Sequence, residues 1–110
     1  FRRVLFRSIN IPASVQYIAD GAFGQCRQLK SITMDADNPK YKVVDNALIE
    51  IHKKGKKGKG NMLIAYPIAN GVTDYTIPDG ITQINDAFTW CPTLQKVTIP
   101  EGVAIVYNSF

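Results

Sequence analysis

Residues 77–99 read IPDGITQINDAFTWCPTLQKVTI, and residues 11–34 read IPASVQYIADGAFGQCRQLKSITM. Aligned, they share I-P-x-x-[VI]-x-x-I followed by A-F-x-x-C-x-x-L-x-x-[IV]-x-[IM]. Gly21 is the one extra residue of the first copy. A third copy opens at residues 99–110, IPEGVAIVYNSF. The steps from Ile11 to Met34 and from Ile77 to Ile99 are 23 and 22 residues. Self-similarity at such a period marks a chain built from stacked supersecondary units rather than from one irregular core.

The spacing carries its own physics. In L-x-x-[IV]-x-[IM] the last apolar residues alternate, as a half-buried strand requires. Leu29, Ile32 and Met34 therefore point inward, as do Leu94, Val97 and Ile99. The proline after Ile11, Ile77 and Ile99 has no N–H to donate, so it ends the ladder there. Val15–Ile18 and Ile81–Ile84 read as second short strands. The A-F-x-x-C segment reads as a helical or tight turn, with Phe23 and Phe88 buried at equivalent places under a neighbouring coil. One coil cannot cover its own apolar edge; stacked coils bury a continuous core.

Between the two full copies lies an insert. Tyr41–Val44 reads as a strand, and Asp45-Asn46 as a tight turn, because both residues tolerate positive φ. Ala47–Ile51 alternates and reads as a second strand, Met62–Tyr66 as a third. HKKGKKGKG, residues 52–60, then joins two antiparallel strands that protrude from the repeats. Coils are expected at about 9–34, 72–99 and 97–110, with a β-meander at about 38–70.

At these residues the chain resembles the BspA-like leucine-rich repeats of bacterial surface and secreted proteins, also found in some protist surface proteins. The insert matches too: NPKYKVVDNALIEI and NMLIAYP are similar to the family's "NP.Y..VDG.LY" and "LI.YP". Asn46 stands where the family usually has glycine, and the lysine loop is longer than expected. The resemblance implies a right-handed leucine-rich-repeat solenoid, mostly β with short helical turns (a β/α superhelix), carrying an inserted β-hairpin or meander. It implies binding and adhesion without catalysis or cofactor, at an extracellular or cell-surface location. It names no ligand. Residues 1–8, FRRVLFRS, resemble the conceptual translation of a sequencing adapter, so they are set aside as an artefact or partial strand.

Charge narrows the partners. The formal +4 falls to −1 without Lys53, Lys54, Lys56, Lys57 and Lys59, and to −4 without Arg2, Arg3 and Arg7 as well. The basicity thus sits in one loop and one end. The loop reads as a solvated hairpin tip, with contact to an anionic polymer through its lysines as the alternative. It lacks the Ser/Thr and following helix of a phosphate-binding P-loop. Specific nucleic-acid binding would need basic residues spread over a face. No apolar run long enough to span a membrane is present, and no secretory signal opens the chain.

Other chemistry-bearing residues are sparse. Cys26 and Cys91 occupy the same repeat position, too far apart to bridge, and read as two small buried hydrophobes. Two distant cysteines and one histidine do not make a zinc site. His52 reads as exposed at the mouth of the loop, with no catalytic triad around it. Asp35, Asp37 and Asn38 hint at calcium but fit turn formation better. Trp90 reads as an aromatic that covers the core from a neighbouring coil, with an exposed binding anchor as the alternative.

The concave face offers a polar stripe. Asn10, Thr33, Thr76 and Thr98 lie between inward positions, with Ser31, Asp74 and Lys96 beside them. Such a stripe suits hydrogen bonding to a glycan or an extended peptide, although threonine favours strands in any case. The expected function is a non-enzymatic binding or adhesion module recognising protein or glycan. The alternatives are a structural spacer and weak anion binding through residues 52–60.

Overall fold

The repeat pattern becomes paired parallel strands whose register is the repeat step. The computed structural model describes residues 7–19, 21–23, 26–52, 60–89 and 91–107. Strand β1 (Ser8–Ile11) pairs parallel with β2 (Ser31–Met34), Ile11 opposite Met34. Strand β6 (Asp74–Thr76) pairs parallel with β8 (Lys96–Thr98), Thr76 opposite Thr98. These offsets of 23 and 22 residues are the steps of the sequence repeat. Each ladder is a separate two-stranded sheet.

A five-stranded sheet stands with them. Its order is β3 (Tyr41–Val44), β4 (Ala47–Glu50), β5 (Asn61–Ala65), β7 (Ile81–Asn85) and β9 (Ile105–Tyr107). The first three pair antiparallel, and β5–β7–β9 pair parallel. Asp45 and Asn46 turn β3 into β4 with φ of 49° and 71°. Positive φ at both central residues is the twist-matching hairpin turn for which these two residue types are suited.

The insert does not protrude. Strand β5 hydrogen-bonds to β7 of the second repeat, so the meander is continuous with the repeats. Nor does β4 alternate between core and solvent: Ala47, Leu48 and Ile49 are all buried. Ala47, Ile49 and Leu63 pack into one core with Tyr75, Ile77, Ile81, Ile84 and Phe88. Leu48, Ile64 and Ala65 pack into another with Ile11, Leu29, Ile32 and Tyr41. A strand covered on both faces needs a continuous apolar run, and ALI and LIA supply it.

The second strands differ between repeats. Ile81–Asn85 forms β7, but Val15–Ile18 is not a strand. Side chains satisfy that segment's backbone instead. Asn38 Nδ2 donates to the carbonyls of Pro12 and Val15, and Ile18 N–H donates to the Tyr41 hydroxyl. The A-F-x-x-C segments close as tight turns, with Cys26 N–H bonded to Phe23 O and Cys91 N–H to Phe88 O. The residue two before each phenylalanine is left-handed, Gly21 at φ 71° and Asp86 at φ 53°. The described residues contain no helix.

Inward positions are mostly covered. Leu29 and Ile32 are buried, while Met34, Leu94 and Val97 are half-buried. Ile99 was expected inside and is 45% exposed. It follows β8, over which no further strand lies among the described residues. Phe88 is buried as expected, but Phe23 is only half-buried. Strand β1 begins at Ser8, and the Arg7 carbonyl accepts from Lys30 N–H and Ser31 N–H; residues 1–6 lie outside the described residues.

Candidate binding surface

Alternation along the short strands sorts the stripe residues onto the face opposite the core. In β6, Tyr75 is buried while Asp74 and Thr76 are exposed; in β8, Val97 turns in while Lys96 and Thr98 are exposed. Lys96 faces Asp74 across the ladder, and Thr98 faces Thr76. On the other ladder Asn10 faces Thr33, whose hydroxyl donates to Asn10 Oδ1 at 2.9 Å. Ser31 is half-buried opposite Ser8.

The seven stripe residues fall into two clusters. No ladder joins β2 to β6. Residues 66–70 follow β5, and Ala69 N–H bonds to the Leu29 carbonyl. Each cluster exposes hydroxyl or amide groups able both to donate and to accept. Only the cluster on β6–β8 adds charge, one of each sign.

Lys53, Lys54, Lys56, Lys57 and Lys59 lie outside the described residues, as does Trp90. The flanks of the lysine loop are anchored. His52 N–H donates to Asn61 Oδ1, and Gly60 N–H to Thr82 Oγ1. A Cβ at Gly60 would lie 2.8 Å from Gly80 O, so a close backbone approach demands glycine there. His52 is half-buried rather than exposed, because its Nε2 pairs with Glu50 Oε2 at 2.9 Å.

Both cysteines are free. Cys26 is buried, and burial pushes its thiol pKa up. Cys91 was expected to be buried but is half-buried, its Sγ donating to the Ile68 carbonyl at 3.5 Å. Asp37 N–H bonds to Asp35 Oδ1, a local turn. Among the described residues no three His, Cys, Asp or Glu side chains cluster to hold a metal.

Two features had only faint sequence signals. Asn38 is buried and uses its whole amide: Nδ2 donates to Pro12 O and Val15 O, and Oδ1 accepts from Lys40 N–H and Tyr41 N–H. The sequence marks it only as a turn former beside Asp35 and Asp37 and as the start of the Asn-Pro pair that opens the insert. Beside it a cavity of about 560 Å³ opens between residues 16–17, 39–41 and 50–52. Elsewhere Tyr66, Tyr75 and Phe88 form an aromatic cluster with ring centroids 4.7–5.6 Å apart. Desolvation raises the Tyr75 phenol strongly, with Tyr66 and Asp45 adding to it. Burial also raises Tyr66, against hydrogen bonds with Asn70 and Asn46.

Known proteins share this arrangement. No curated protein matches the chain. A leucine rich cell surface protein of Faecalibacterium prausnitzii superposes with a TM-score of 0.82 at 32% identity, over 97% of this chain and 27% of that one. A leucine-rich repeat protein of Eubacterium ventriosum gives 0.71 at 28% identity, over 91% of this chain and 25% of that one. The pneumococcal vaccine antigen PcpA gives 0.72 over 92% of this chain and 24% of that one, a likeness of fold at 20% identity. The chain thus spans about a quarter of each of these structures. Residues 1–47 and 68–110 match the family described as BspA type leucine rich repeat region (6 copies), leaving out much of the insert. The matched residues supply the β1–β2 and β6–β8 ladders, whose register is the repeat step of this sequence: the chain belongs to the BspA-type leucine-rich repeat family.

Proposed function

We propose that the chain is part of a non-enzymatic binding module of a bacterial cell-surface or secreted protein, an adhesion solenoid recognising protein or glycan. In this reading the two ladders are successive coils of a right-handed solenoid, joined at each A-F-x-x-C segment by a tight turn. The observation that supports the reading most directly is the strand frame. Asn10, Ser31, Thr33, Asp74, Thr76, Lys96 and Thr98 stand on the outward side of two ladders whose other side is core. All but Lys96 have short, strand-held side chains, so these six lose little rotamer freedom when a ligand binds. The F. prausnitzii relative, described as a cell surface protein, supports the location.

The test replaces Thr76 and Thr98 with alanine and Asp74 with asparagine together, and compares parent and variant on arrays of glycans and extracellular proteins. These side chains are exposed, so the melt should be unchanged within about 0.5 kcal/mol per site. Binding by the parent that the variant loses supports the stripe as the contact. A parent that binds nothing on either array points to a spacer instead. Binding that vanishes only on raising the salt points to the lysine loop.

A further inference from the structure

We propose a second binding site, distinct from the stripe, for one neutral sugar residue in the cavity between residues 16–17, 39–41 and 50–52. Its volume of about 560 Å³ suits a small ligand; such sites span roughly 300–1,000 Å³. Tyr17 stands at its wall, 78% exposed, while its neighbours Val15 and Ile18 pack against the core. An exposed ring on an anchored segment is an aromatic platform kept out of the core.

The polar groups around that ring fit a pyranose. Such a sugar has an apolar face of C–H groups and a rim of hydroxyls, each of which both donates and accepts. Gln16 supplies an amide with both capacities, Glu50 acceptor oxygens, and Lys40 donors. His52 adds its ring beside Glu50, 2.9 Å away. Among the described lining residues Lys40 and Glu50 cancel in formal charge, so these residues supply no cationic excess of the kind a phosphate or sulfate needs. A peptide strand added at the start of β3 would find the Lys40 and Tyr41 N–H groups already bonded to Asn38 Oδ1.

The walls are fixed before any ligand arrives. Asn38 ties the carbonyls of Pro12 and Val15 to the loop at Lys40 and Tyr41. The Tyr41 hydroxyl accepts from Ile18 N–H, the residue after Tyr17. Ile51 N–H bonds to Lys40 O at 2.8 Å, and His52 N–H to Asn61 Oδ1. Three separate segments are thus held in one geometry, which lowers the ordering cost of binding.

The experiment is an amide-shift titration of the ¹⁵N-labelled chain with methyl β-D-glucopyranoside, methyl β-D-galactopyranoside and N,N′-diacetylchitobiose, and with inorganic phosphate as the anion probe. At least one sugar should produce saturable millimolar shifts at the amides of residues 16–18, 40–41 and 51–52. Tyr17→Ala, at an exposed position, should weaken that sugar roughly tenfold with an unchanged melt. Glu50→Gln should weaken it too. The proposal is overturned by no shift with any sugar, by shifts centred on Thr33, Thr76 or Thr98, or by undiminished binding in Tyr17→Ala. Phosphate shifting the same amides more strongly than every sugar overturns it equally.

Discussion

Phe88 is 2% exposed and sits with ring centroids 5.1 Å from Tyr66 and 5.6 Å from Tyr75. Removing its ring empties a volume that Tyr66 and Tyr75 help enclose, so Phe88→Ala should cost about 3–5 kcal/mol. Phe23 holds the same letter of the repeat but is half-buried at the margin of the other core. Phe23→Ala should cost less than half as much, and urea midpoints of the two variants check the ordering. The same aromatic cluster sets an alkaline limit. The Tyr75 and Tyr66 phenols and the Cys26 thiol are all held above their ordinary values of 10.0 and 9.0, chiefly by burial. Each is an acid that the fold prefers neutral. Below about pH 9 both folded and unfolded chains keep these protons and no stability is lost. Above it the unfolded chain ionises first, binds fewer protons, and stability falls until the folded values are passed. Denaturant midpoints should therefore decline from about pH 9 upward. Tyr75→Phe, which keeps the ring and removes the proton, should flatten that decline.

Strands β4 and β5 show what can and cannot be read ahead. The repeat frame and the Asp45-Asn46 turn were legible, because alternation and positive-φ residues are local signals. Burial of Leu48 and Ile49 on opposite faces was not. A short apolar run reads the same whether one face or both will be covered, and only what packs on each face decides it, Ile77 and Phe88 on one side, Ile11 and Leu29 on the other. The loss of a strand at Val15–Ile18 was likewise invisible, since Asn38 and Tyr41, at least 20 residues away, take over its backbone bonds. The stripe's residues were legible one by one; its division into two clusters was not, because it depends on residues 66–70 and their contact with Leu29. The connection between β4 and β5 carries its own prediction. Both flanks are anchored, through His52 to Asn61 and through Gly60 to Thr82. Replacing Lys53, Lys54, Lys56, Lys57 and Lys59 with serine should therefore leave the melt unchanged. It takes the formal charge from +4 to −1. Retention on a heparin column at low salt should vanish, whereas the sugar titration at Tyr17 should be untouched. Loss of stability on making these five changes would show that the lysines belong to the fold.

In a simple repeat array each unit touches only its neighbours, and end units can open alone. Here one sheet supplies side chains to both cores, Ile49 and Leu63 to one, Leu48 and Ile64 to the other. Local opening of either repeat would strip one face of β4 and β5, so the two repeats should open together. Native-state hydrogen exchange should give the amides of β2 and β7 the same opening free energy within about 1 kcal/mol. Ile49→Ala, though it faces only the second repeat's core, should lower both by the same amount. If β2 keeps its protection in that variant, the two cores are independent. The two-faced sheet also bears on how such a chain can be inherited. A repeat is usually a unit that can be duplicated or lost singly, because the remainder closes over the gap. Excising residues 38–70 here would bare two apolar surfaces at once, and duplicating one repeat would leave the sheet a face short. A cassette that kept both cores closed would hold the two repeats with the insert between them.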